Sequence, residues 1–179
     1  MASFGKSLEQ SGKPGCRKKT NHKWFETSDT VNYYLEFQRE KLVWIQLVGK
    51  GRFAYDTGRL YPMASAVVMT GADIKYLLAL LNSHLISWEM QYIAPTSGMG
   101  VLQWKKAYVE KLHSPKISKE EQRPFIKLAD KITAAKQANP AADTTADEKE
   151  IDRLVYELYD LTIEEMKIVE SSISSRQTE

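Results

Sequence analysis

The chain has 179 residues, 42% hydrophobic and 27% charged, with 25 Lys and Arg against 23 Asp and Glu for a formal net charge of +2. That length and composition suit one domain, or one domain with an appended helical piece, and exclude wholesale disorder. One cysteine, Cys16, excludes a disulfide framework; no Cys/His spacing suits structural zinc, no apolar run nears the ~20 residues of a membrane span, and residues 1–22 lack a signal's apolar centre. The expectation is a soluble, cytoplasmic protein with no membrane partner.

Residues 1–22 hold Gly5, Gly12, Pro14 and Gly15, then the basic run Arg17, Lys18 and Lys19. They read as an extended basic arm, an unusual start for a compact domain, and suggest a piece of a longer protein. Ser28 or Asp29 is placed to cap a short helix through Phe37, with Val31, Tyr34 and Leu35 on one face. Residues 42–48 are β-branched and aromatic around Trp44, the pattern of a buried strand, with Lys41 merely flanking it. Gly49 and Gly51 mark a turn, 53–56 a second strand, and 64–69 a third.

Residues 73–93 predict one long helix, capped from Thr70, with Ile74, Leu77, Leu78, Leu81 and Leu85 at helical spacing and Pro95 closing it. Residues 96–100 form a polar loop, 101–104 one more strand, and 105–111 a short helix. From 118 to 173 come three helices, each opening on a hydroxyl residue with Glu three later: Ser118/Glu121, Thr145/Glu148 and Thr162/Glu165. A connector rich in Ala, Asn and Asp, expected to be mobile, lies at 137–144. The fold class is α+β: a small mixed or antiparallel sheet on a leucine-rich helix, then a helical C-terminal unit. The expected divisions are an arm at 1–22, an α+β part at 23–117 and a helical part at 118–179.

No phosphate loop and no nucleophile elbow is present, and His22, His84 and His113 lack the spacing of a helical metal pair. His84 suits a partnered residue at a core edge. The paired acids sit at helix starts, where the dipole favours them. No catalytic or metal-ligating residue is assigned.

The charge is unevenly spread. Residues 1–116 hold 16 Lys and Arg against 9 Asp and Glu, a net of +7, while 117–179 hold 9 against 14, a net of −5. The basic part also carries Trp24, Trp44, Trp88 and Trp104. Cations on Gly-rich turns suit a nucleic-acid surface, because they neutralise phosphates while loop side chains reach base edges. The candidate DNA-binding residues are Arg17, Lys18, Lys19 and Lys23 on the arm; Lys50, Arg52 and Arg59 around the β-turns; and Thr96, Ser97, Gln103, Lys105 and Lys106 further on. Arg and Gln can pair bidentately with guanine and adenine in the major groove.

Several strings in order resemble a known family. They are 15–20 (Gly-Cys-Arg-Lys-Lys-Thr), 23–26 (Lys-Trp-Phe-Glu), 41–44 (Lys-Leu-Val-Trp), 52–56 (Arg-Phe-Ala-Tyr-Asp), the leucine run 76–83 ending in Asn82-Ser83, and the tail 151–165 containing Val155-Tyr156-Glu157-Leu158-Tyr159. Over about residues 15–170 the chain resembles the TaqI-like specificity domain of restriction–modification enzymes and adenine-specific DNA methyltransferases. The resemblance implies a target-recognition module for double-stranded DNA. It also implies a parent whose N-terminal methyltransferase domain uses S-adenosylmethionine, with Mg where the parent also cleaves. The family's Asn-Pro-Pro-Tyr methylation motif is missing here, so no cofactor is expected in this chain. The alternative is a protein–protein assembly or dimerisation module that uses the C-terminal amphipathic helices.

Overall fold

A computed structural model describes residues 11–16, 19, 21, 32–49, 51–63, 65–98 and 100–175. Met1–Glu36 and Phe37–Glu179 are separate compact units. In the first, Cys16 N–H donates to Lys13 O at 2.9 Å and closes a turn. Residues 28, 29 and 31 of the expected capped helix lie outside the described residues; the stretch Asn32–Gln38 is a 3-10 helix, with Tyr34 and Leu35 exposed.

In the second unit β1 (Lys41–Ile45) is the middle strand of an antiparallel sheet, between β2 (Ala54–Asp56) and β3 (Ala66–Met69). Successive side chains alternate across a strand, so Leu42 and Trp44 reach the core while Ile45 stays exposed. The register sets Lys41 against Asp56 and Val43 against Ala54. Lys41 is no mere flank. It is fully buried, its Nζ paired with the Asp56 carboxylate and donating to Phe37 O at 2.6 Å.

The run expected as one helix is two, α1 (Ile74–Leu81) and α2 (His84–Ile93), broken at Asn82 and Ser83. Ser83 is extended, and its side chain accepts the Ile86 N–H as the N-cap of α2. Asp73, not Thr70, precedes α1, in left-handed backbone and paired with Lys119. Residues 101–104 are not a strand. Leu102 bridges Thr96 and Gln103 bridges Leu47, so the segment divides its pairing between two partners and builds no ladder with either. A short α3 (Lys106–Val109) comes next.

The C-terminal helices are α4 (Lys119–Ala138), α5 (Thr145–Leu158) and α6 (Ile163–Ser175). The boxes at Ser118/Glu121 and Thr162/Glu165 form. The one expected at Thr145/Glu148 does not form. Thr144 is the N-cap of α5; its hydroxyl donates to Glu148 at 2.6 Å, and Asp143 accepts the Thr145 N–H at 3.0 Å. Between α4 and α5 the chain makes a hydrogen-bonded turn, Ala142 N–H to Asn139 O at 2.9 Å.

One hydrophobic cluster runs from Leu42 and Trp44 through α1 and α2 to Phe125, Ile151, Val155 and Val169. Tyr76 of α1 meets Phe125 of α4 edge to face, ring centroids 5.5 Å apart. The α+β class is as expected, with the helical C-terminal part built into the core of the sheet and α1. Among the described residues no helix is long and apolar enough to cross a membrane.

Candidate nucleic-acid interface

The loop from β1 to β2 and the hairpin at 95–103 meet at one end of the sheet. Trp104 fastens them. Its backbone N–H donates to Gln46 O at 2.6 Å, its carbonyl accepts the Trp44 indole N–H at 2.7 Å, and its ring is fully buried. Gly51 lies directly on that ring. A Cβ there would stand 2.6 Å from three ring atoms, so only glycine fits without displacing the loop or the indole. Phe53 completes the packing, 5.0 Å from the Trp44 ring and 5.8 Å from Trp104.

The loops that pack at this end of the sheet carry Arg52, Thr96, Ser97, Gln103, Lys105 and Lys106. Arg52 and Lys105 are exposed, and among the described residues neither carries an ion pair. Lys106 is exposed and 3.4 Å from Glu110 one helical turn on. Gln103 is half-buried beside Leu47. Ser97 accepts the Val101 N–H at 3.3 Å and its own N–H donates to Val101 O at 2.7 Å, so it shapes the hairpin. The polar loop is therefore a closed turn.

Arg59 lies elsewhere. The antiparallel register puts it beyond Asp56, at the opposite end of β1, and four steps of ~3.3 Å separate the ends by roughly 13 Å. Asp56 holds the loop it sits on: the carboxylate accepts N–H groups of Gly58 at 3.0 Å, Arg59 at 3.1 Å and Leu60 at 3.2 Å. Gly58 has φ +96°, and a Cβ would meet Gln38 O at 2.3 Å. Burial works to raise the Asp56 pKa; the Lys41 ammonium and the Leu60 and Gly58 N–H groups outweigh it and hold it below the usual carboxylate range. Sequence reasoning missed this pair, because nothing local marks Lys41 as buried.

Lys19 is exposed and belongs to the first unit; Arg17, Lys18, Lys23 and Lys50 lie outside the described residues. Trp44 and Trp104 are core and Trp88 is half-buried, so none of these is an open stacking platform.

A cleft of about 600 Å³ runs beside Arg52, between the β2 loop and helices α1, α4 and α5. His84 and Asp152 line it. His84 Nδ1 is 3.1 Å from Glu170 and 3.4 Å from Asp152, and the Asp152 carboxylate accepts the backbone N–H of His84 at 2.7 Å. Tyr156 donates its hydroxyl to the same Glu170. Burial pushes the Glu170 pKa up, and the Tyr156 and His84 hydrogen bonds more than offset it, so the net shift is downward. His84 is thus partnered at the core edge, where it joins α2, α5 and α6.

The exposed Arg52 and Lys105 thus stand on loops that pack through Trp104 at one end of an antiparallel sheet. A family comparison adds what the geometry alone does not give. The chain belongs to the TaqI-like C-terminal specificity domain family, whose model matches residues 4–113. That match takes in the sheet, α1, α2 and the hairpin; α4, α5 and α6 lie beyond it. The comparison with curated proteins returned no match.

Proposed function

We propose that this chain recognises a specific sequence in double-stranded DNA for a restriction–modification enzyme, through the sheet end that carries Arg52, Gln103 and Lys105. The specificity-domain match carries the reading, and the exposure of Arg52 and Lys105 on loops joined through Trp104 supports it. Lys105 and Lys106 neutralise phosphates and set the register on the duplex. Arg52 reads guanine O6 and N7, and Gln103 reads adenine N6 and N7, each pair contributing roughly 1–3 kcal/mol of discrimination. Adenine methylation, and cleavage where it occurs, belong to other domains of the parent, where S-adenosylmethionine and Mg would bind.

A mobility shift on duplex DNA across a salt series tests this. Affinity should fall steeply with salt, and each of Lys105→Ala and Lys106→Ala should reduce the log–log slope by about 1. No binding at low salt by the chain or its parent would refute it.

An assembly role for the C-terminal helices has one observation in its favour. Tyr92, Ile163 and Ile168 are exposed, and Ile168 lines an apolar groove with Leu85, Trp88 and Leu161. Light scattering on an Ile163→Glu/Ile168→Glu chain separates the readings: a drop in mass with DNA affinity unchanged supports assembly.

A further inference from the structure

We propose that Asn82, to which the recognition mode assigns no base or phosphate, is a positioning residue for sequence recognition: it fixes the backbone of Arg52. The inference rests on the DNA-recognition reading and names the device that makes one arginine selective.

Asn82 occupies the break between α1 and α2. Its side-chain amide pairs with Phe53 as a neighbouring strand would. The Oδ1 atom accepts the Phe53 N–H at 3.0 Å, and Nδ2 donates to Phe53 O at 3.0 Å. Nδ2 also donates to Leu78 O at 2.9 Å, which fixes the amide against its own helix. Both backbone polar groups of Phe53 are thereby held by one side chain, 29 residues away in sequence. On the other side of Arg52, Gly51 is pressed on the buried Trp104 ring. Arg52 therefore stands between two residues with fixed backbones while its own side chain is exposed.

A bidentate contact to a base edge needs the guanidinium placed to a fraction of an ångström, whereas a phosphate contact tolerates a swinging cation. Loss of the amide clamp leaves Arg52 in place and charged but lets its backbone wander. Non-specific affinity should survive and selectivity should not. A residue that only stabilised the fold would weaken binding to all duplexes alike.

The test is a binding selection on a randomised duplex library with the full chain, then anisotropy titrations on the selected duplex and a scrambled one. Arg52→Ala should relax one base position by roughly 5- to 150-fold. Asn82→Ala should relax that same position by at least ~5-fold, with affinity for the scrambled duplex within ~2-fold of the parent chain and its salt slope unchanged. Asn82→Asp keeps the acceptor but puts an oxygen against Phe53 O, and should do the same. If the Asn82 variants do not fold, Gly51→Ala supplies the second arm. It leaves Asn82 in place, lifts the loop off Trp104, and should relax the same position. An unchanged selectivity profile in variants that fold, or equal losses on both duplexes, overturns the role of Asn82 and leaves the recognition reading standing. If the unaltered chain selects no sequence, the recognition reading fails and the inference falls with it.

Discussion

The buried pair of Lys41 and Asp56 offers the sharpest test of how the sheet end carrying Arg59 is held. Lys41 is fully buried and Asp56 nearly so, and Asp56 also gathers the N–H groups of Gly58, Arg59 and Leu60. Asp56→Asn keeps the shape and one oxygen. Lys41 and the Gly58, Arg59 and Leu60 N–H groups all reach one oxygen, Oδ2, so the amide oxygen can stand in its place and what is lost is the negative charge that balances the Lys41 ammonium. Leaving a buried charge unpaired costs about 3–5 kcal/mol. At ~2–4 °C per kcal/mol for a chain of this size, the midpoint should fall by roughly 6–20 °C. Lys41→Met should cost less, about 1–3 kcal/mol, since Asp56 keeps its backbone donors. The double variant should lose less than the sum of the two, because the second change removes the orphan left by the first. Urea unfolding monitored by tryptophan fluorescence reads all of these. The pH dependence carries a definite sign. The folded pKa of Asp56 lies below its ordinary value, so its contribution is complete above the unfolded value of ~3.9 and is lost as pH falls through the folded one. The gap between the parent chain and Asp56→Asn should be full near pH ~7 and close below pH ~4. A loss under ~1 kcal/mol at neutral pH, or a gap that persists undiminished in acid, would refute the reasoning.

Ser118→Ala and Thr162→Ala each remove an N-cap that forms, and each should cost about 1 kcal/mol in chemical denaturation, while Thr145→Ala, whose hydroxyl is not the cap, should cost less. Ile151→Ala truncates a buried side chain in the cluster shared with Trp44, so it should cost ~2–5 kcal/mol and lower one cooperative transition, not split it in two. Glu110→Gln removes the carboxylate beside Lys106 on the proposed DNA face and should raise affinity for any duplex by ~2- to 5-fold at low salt, as an anisotropy titration would show; no gain would place DNA on another face.

Features whose cause lies within a turn or two of chain were legible in the sequence. The Ser118 and Thr162 caps close over three residues, and the β-branched, aromatic run around Trp44 marks a strand, which the structure confines to Lys41–Ile45. The box that does not form at Thr145/Glu148 shows the limit even there, since Asp143, Thr144 and Thr145 all carry cap-forming oxygens and it is Asp143 that accepts the Thr145 N–H. The long leucine run offers one local cue to its break, Ser83, which caps α2 through the Ile86 N–H. The other contacts at the break come from partners far along the chain: Phe53 on the amide of Asn82, and Asp152 on the N–H of His84. Lys41 looked like an ordinary strand flank for the same reason; its partner is set by strand register. Among the candidate site residues, charge composition picked out Arg52 and Lys105, which adjoin the Gly51–Trp104 contact, and equally Arg59, which antiparallel pairing sends to the other end of the sheet. Asn82 carried no charge signal at all.

The C-terminal helices matter to the sheet end in a way their acidic charge conceals. Asp152 of α5 takes the first N–H of α2, and His84 and Tyr156 converge on Glu170 of α6. Tyr159 donates to the carbonyl of His113, which ties the end of α5 to the segment after α3. These contacts hold the first residue of α2, two residues beyond Asn82, alongside the local Ser83 cap. Asn82 in turn holds Phe53, and Phe53 adjoins Arg52. A helical piece that contributes −5 to the net charge is therefore a poor partner for phosphate and yet a structural condition for the basic loop's geometry. The small net charge of the whole chain is the sum of two parts that are electrostatically opposed and mechanically joined. Removing residues 118–179 would strip Phe125 from Tyr76 and Asp152 from His84, so the basic part should lose its loop geometry, and with it its selectivity, when cut free.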